Sequence, residues 1–113
     1  MEIQVPDLTE DFPAAIEQAT VYLSDVTLRL EEARRQKRNL KTDFKMEARE
    51  SDASNRTERK AYVKGKKQES KVYQDLQDKI EELTREQART EGRLERLKGE
   101  FAVRKEDLGA TIS

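Results

Sequence analysis

The chain has 113 residues, enough for one small domain, but 42% of them are charged and only 34% are apolar, with three Phe, three Tyr and no Trp. That composition excludes a thick globular core and leaves either disorder or long helices that each bury one narrow stripe. His and Cys are both absent, which removes the commonest acid–base group, thiol nucleophiles, disulfides and thiolate metal ligands.

The net charge of −1 averages over a strong pattern. Residues 1–28 carry six acids and no base, residues 29–71 fifteen bases and eight acids, and residues 72–113 eight bases and ten acids. Positive charge is therefore concentrated in the middle of the chain. No apolar run approaches the roughly 20 residues of a membrane span. The start, Met1 to Pro6, lacks the basic-then-apolar order of a signal peptide. A soluble, cytoplasmic protein with no membrane partner is the expectation.

In chain order, residues 1–11 read as an extended N-terminal arm bearing Ile3, Val5 and Leu8. Pro13 suits the first turn of a helix, where its missing N–H costs nothing. From Phe12 the apolar positions Ile16, Ala19, Leu23, Val26, Leu30, Ala33, Leu40 and Phe44 alternate by three and four, interrupted only at Lys37. This is a heptad seam, and it predicts a helix over 12–48. Residues 49–55 are polar and small enough to turn, and Asn55 followed by Glu58 resembles a capping box. A second helix is predicted over 56–108, with its seam running through Tyr62, Lys66, Glu69, Tyr73, Leu76, Ile80, Leu83, Gln87, Thr90, Leu94, Leu97, Phe101, Arg104 and Leu108. Gly65 is a weak point in it, Gly109 an expected stop, and residues 110–113 a tail. The fold class is all-α: two long helices in an antiparallel coiled-coil hairpin, spanning 12–109.

The polar interruptions suggest a register. Placing Lys37 against Glu69 matches two seam charges of opposite sign and also sets Leu30 on Leu76, Ala33 on Tyr73, Phe44 on Tyr62 and Glu47 on Arg59. A slide of one heptad puts Lys37 against Leu76 and Phe44 against Glu69, which buries charge on apolar partners; the alternative is that Lys37 reaches solvent along its own stem and pairs with nothing. In the preferred register Phe12 reaches only Leu94, so Leu97, Phe101 and Leu108 lack a partner from the first helix. The stretch Leu94, Leu97, Phe101 and Leu108 is then an assembly surface, covered in part by the arm and in part by a second chain. A homodimer completing a four-helix bundle is the expected solution.

Gly65, Gly92, Gly99 and Gly109 form no phosphate-binding loop, and acid pairs such as Glu81–Glu82 diverge on a helix. Ordinary surface pairs, such as Glu31 with Arg35, account for many of the charges. No catalytic residue, cofactor or metal is expected, and the chain reads as a non-enzyme. The feature with functional promise is basic: Arg38, Lys41 and Lys45 on the first helix, then Arg56, Arg59, Lys60, Lys64, Lys66, Lys67 and Lys71 on the second. In a hairpin both groups fall toward the turn, where phosphate would be attracted without sequence readout. Tyr62, if exposed, would stack on an unpaired base. Against this, Asp43, Glu47 and Glu58 are interleaved, as on an ordinary solvated face. Binding to an unidentified protein partner is the leading expectation, and nucleic-acid binding through the basic tip is the alternative.

The segment Asn55-Arg56-Thr57-Glu58-Arg59-Lys60-Ala61, followed by Ser70-Lys71-Val72-Tyr73 and a long charged helix, resembles small helical proteins encoded by tailed bacteriophages in replication and recombination gene clusters. Those have a turn, a Thr-x-x-Glu-Arg-x-Ala start, a Ser-x-x-Tyr and a final charged helix. Here Asn55 stands in place of the capping Thr, Ser-x-x-Tyr comes about one helical turn later, and a Trp-Arg-Ser ending is absent. The resemblance implies a phage accessory protein acting in the host cytoplasm by binding, and it carries over no catalytic residue.

Overall fold

The computed structural model describes residues 12–112, with side chains through Glu106. The expected arm over 1–11 and the side chain of Leu108 lie outside the described residues. The described chain is all-helical, with no strand among its residues: α1 (Phe12–Glu50), α2 (Arg56–Glu69) and α3 (Lys71–Ile112). No described helix is long and apolar enough to cross a membrane. The helices form two compact units. One joins the start of α1, up to Thr27, with α3 from Arg85 onward; the other runs from Leu28 to Thr84.

In the first unit, Phe12, Ala15, Ala19, Leu94 and Leu97 form a buried cluster, with Ile16, Leu23 and Phe101 packed against it. Small Ala15 and Ala19 leave room for the larger side chains of α3. The Phe12 ring is fully buried and stacks on Phe101 with centroids 5.8 Å apart. Further along, Gln87 Nε2 donates to Thr27 Oγ1 at 3.1 Å, and Tyr22 Oη donates to Glu86 Oε1 at 2.9 Å. Thr90, a polar seam residue, is buried and donates to the Glu86 carbonyl within its own helix. Such pairing removes the cost of burying its hydroxyl.

These contacts correct the predicted register. Phe12 meets Phe101, one heptad beyond Leu94, so Leu94, Leu97 and Phe101 are covered from within the chain. Three of the four side chains expected to form an assembly surface thus have partners within the chain; the fourth, Leu108, lies outside the described side chains. The slide covers Leu97 and Phe101, which the predicted register leaves bare.

The second unit shows the same slide. Glu47 pairs with Lys66 at 3.7 Å instead of Arg59, seven residues away. Lys37 makes no ion pair with Glu69 among the described residues; its ammonium lies 5.5 Å over the Tyr73 ring, and Glu69 is exposed. The charge at Lys37 is thus accommodated by an aromatic face and by its own long stem. The penalty that argued against the slide does not arise.

The second helix is also broken where none was expected. It passes through Gly65 and stops at Ser70, whose backbone is extended (φ −81, ψ 109). Ser70 caps in both directions: its N–H donates to the Lys66 carbonyl, and its Oγ accepts from the Tyr73 N–H. Gln74 Nε2 takes up the Lys67 carbonyl. In one unbroken helix, residues ten apart lie on faces roughly 80° apart. The break lets Val63 and Tyr73 reach one cluster with Phe44 and Ala48, against which Leu40 and Tyr62 pack. It also takes Lys66 and Glu69 out of the seam. At the other end, no described glycine adopts a positive φ, so Gly109 makes no left-handed stop and α3 continues to Ile112.

The turn is capped as the sequence indicates. Asn55 Oδ1 accepts from the Glu58 N–H at 2.9 Å, and Glu58 reaches back to accept from the backbone N–H and the hydroxyl of Ser54. α1 ends two residues later than predicted, at Glu50, where Ser51 Oγ donates to the Ala48 carbonyl. A Cβ added at Gly65 would meet nothing within 4 Å. Gly65→Ala should therefore raise stability by roughly 0.5–1 kcal/mol, seen as a higher urea midpoint at unchanged slope. A lowered midpoint would contradict a helical Gly65.

Candidate basic groove

Local helix geometry sorts the middle of the chain by charge. On α1, Lys41, Lys45 and Arg49 recur every fourth residue and share a face. On α2, Arg56, Lys60 and Lys64 do the same, with Arg59 and Lys67 alongside. Packing of Ala48 and Val63 in the shared cluster brings the two rows together. They line one concavity of about 540 Å³, with eight cationic residues in its walls and Ala48 and Val63 as its only other lining residues. No acid lines it.

Of the interleaved acids, Glu47 and Glu58 are used elsewhere, and Asp43 is exposed outside the groove. Glu58 caps α2, and its carboxyl lies below the usual value of 4.5 because the Ser54 N–H, and then the Ser54 hydroxyl, hydrogen-bond its charged form against a smaller opposing effect of burial. A depressed carboxylate stabilises the fold above that usual value and loses the contribution as pH falls through the lowered one. Glu47 is held by Lys66, outside the groove. Among the described residues, none of the eight groove cations lies within ion-pair distance of an acid. The interleaving that suggested a neutralised face in the sequence is thus resolved in three dimensions.

Of the sequence-derived candidates, Lys41, Lys45, Arg56, Arg59, Lys60, Lys64 and Lys67 come together. Three do not. Lys66 is engaged by Glu47 and lies 5.6 Å over the Tyr62 ring. Lys71 is exposed outside the groove. Arg38 lines a different concavity together with Glu31 and Glu32, where Arg35 pairs with Glu32 and not with Glu31. Arg49, which falls in the predicted turn, belongs to α1 and lines the groove as well; its four-residue spacing from Lys45 is the signal in the sequence. Tyr62 is half-buried against the core cluster and is not among the groove's lining residues, so it offers no stacking platform there. Among the described residues, no group of three or more acids is placed to hold a metal ion.

No family model, curated protein or solved structure matches the chain.

Unpaired like charges have a measurable cost. Arg56–Lys60 and Lys60–Lys64 are both four-residue pairs of like sign, each destabilising by about 0.2–0.5 kcal/mol. Lys60→Gln removes both, and should stabilise the protein by roughly 0.5–1 kcal/mol at low ionic strength. That gain should disappear near 1 M salt, where screening is short-ranged. Destabilisation at low salt would show that Lys60 has a partner.

Proposed function

We propose that this chain is a non-enzymatic helical-hairpin protein that binds nucleic acid through the phosphate backbone at its basic groove. The observation carrying this reading is that eight cations from two helices converge on one concavity that no acid among the described residues lines. A protein that needed these side chains only for solubility would be more stable with opposite charges interspersed, as it has on α3 at Glu86 and Arg89. Retaining an uncompensated cluster has a use when a polyanion completes it, because phosphates release condensed counterions on binding.

The same reading accommodates the likeness to phage accessory proteins of recombination clusters, whose setting is nucleic acid. The groove lies within the second unit, beside the turn that joins α1 to α2. A protein partner, the leading expectation from sequence, would have to supply a dense acidic segment to the same groove, so the two readings separate on ligand chemistry.

Binding should weaken steeply with salt, the logarithmic slope approaching −0.9 per duplex phosphate engaged. Lys64→Gln with Lys67→Gln should lower the affinity for all sequences alike and reduce the slope by about 2. Lys71→Gln, outside the groove, should leave both unchanged. Fluorescence anisotropy with labelled DNA across a salt series measures each of these. An absence of binding at low salt, or a Lys71 effect equal to that of the groove pair, would contradict the proposal.

A further inference from the structure

Taking the nucleic-acid reading as its starting point, we propose that the groove is built for a double-stranded ligand and discriminates against single strands. The inference comes from what the groove lacks in its walls and where the missing groups have gone.

A protein that holds single strands combines cations with aromatic faces, because unpaired bases leave apolar π-surfaces that need covering. This unit has three aromatic rings near the cations, and all three are directed into packing. Tyr73 is 3% exposed and Phe44 7%, with their centroids 6.0 Å apart. The ammoniums of Lys37 and Lys67 occupy the surroundings of the Tyr73 ring at 5.5 and 5.7 Å. Tyr62 packs on the same cluster, with the Lys66 ammonium over its ring. The apolar lining of the groove is reduced to Ala48 and Val63, neither of which can stack a base.

The groove also lacks base-reading amides and carboxylates. Among the described residues, no Asn, Gln, Asp or Glu lines it, so adenine and cytosine edges find none of their usual partners there. What remains is a set of cations presented in rows. Along each helix the four-residue repeat spaces them about 6 Å apart, a spacing suited to successive phosphates of one strand. A duplex satisfies its own bases by pairing and stacking, and it presents the higher linear charge density of the two forms. It therefore makes full use of this surface, whereas a single strand would leave its bases uncovered.

The test is competition under one buffer, with the full-length chain. A short labelled mixed-sequence DNA duplex is compared with each of its separated strands, with inorganic polyphosphate and with polyglutamate, by anisotropy at several salt concentrations. The expected result is a duplex affinity at least roughly tenfold above either strand, the equivalent of one missing base-stacking contact. The salt slope per phosphate should match that of duplex DNA. Fluorescence of Tyr62 and Tyr73, read in a Tyr22→Phe background because Tyr22 is exposed in the other unit, should stay unquenched by either form, since neither ring lines the groove. Single strands binding as tightly as the duplex, or quenching tyrosine, would overturn the duplex preference and leave nucleic-acid binding intact. Polyphosphate or polyglutamate binding as tightly as the duplex would overturn both, as would the absence of any DNA binding at low salt.

Discussion

The buried ring of Tyr73 holds the basic unit in register. It lies just after the Ser70 break, packs against Phe44 of α1, and has lysine ammoniums from both α1 and α2 beside it. With Tyr73 in this place, Val63 reaches Ala48 and Phe44, and Glu47 falls opposite Lys66. One heptad away, Glu47 would instead meet Arg59 and put an acid at the edge of the cationic rows. The register that packs the rings is also the one that keeps Arg59 unneutralised in the groove.

Magnitudes indicate which contact sets that register. Burying a large apolar side chain contributes about 1.5–3 kcal/mol, and an aromatic pair about 0.5–1.5 kcal/mol beyond that. The Glu47–Lys66 pair has side chains 48% and 39% exposed, and exposed pairs of this kind contribute at most about 1 kcal/mol. Ring packing at Phe44–Tyr73 and Phe12–Phe101 therefore dominates, and the ion pairs follow from it. A chain with so few aromatics places nearly all its register information in a few rings. No buried polar side-chain atom among the described residues lacks a hydrogen-bond partner, so no unpaired group in the core opposes that choice.

Much of this was legible in the sequence. The alternating three-and-four spacing identified helical seams, and Asn55 with Glu58 identified the start of α2. Seven of the eight groove cations were recognised from their crowding around the turn. The register was not legible, because counting seam charges favours a carboxylate for Lys37 over a solvent-reaching stem, and the aromatic face that Lys37 lies against is not in that count. The Ser70 break was hidden for a related reason. Read as one continuous heptad, Lys66 and Glu69 looked like seam residues and Val63 did not; a single capping serine reverses those assignments. Arg49 was lost to a turn drawn two residues too early. The separation of acids from bases depends on how two helices meet, which no single-helix pattern contains.

The central claim is the register, and aromatic nuclear Overhauser spectroscopy reads it directly. With three Phe and three Tyr in the chain, every ring can be assigned by single substitutions. The account predicts ring-to-ring cross-peaks between Phe12 and Phe101 and between Phe44 and Tyr73. Cross-peaks joining Tyr73 to Ala33 in their place, with Phe101 touching no residue of α1, would place the helices one heptad apart from the arrangement described and remove the groove.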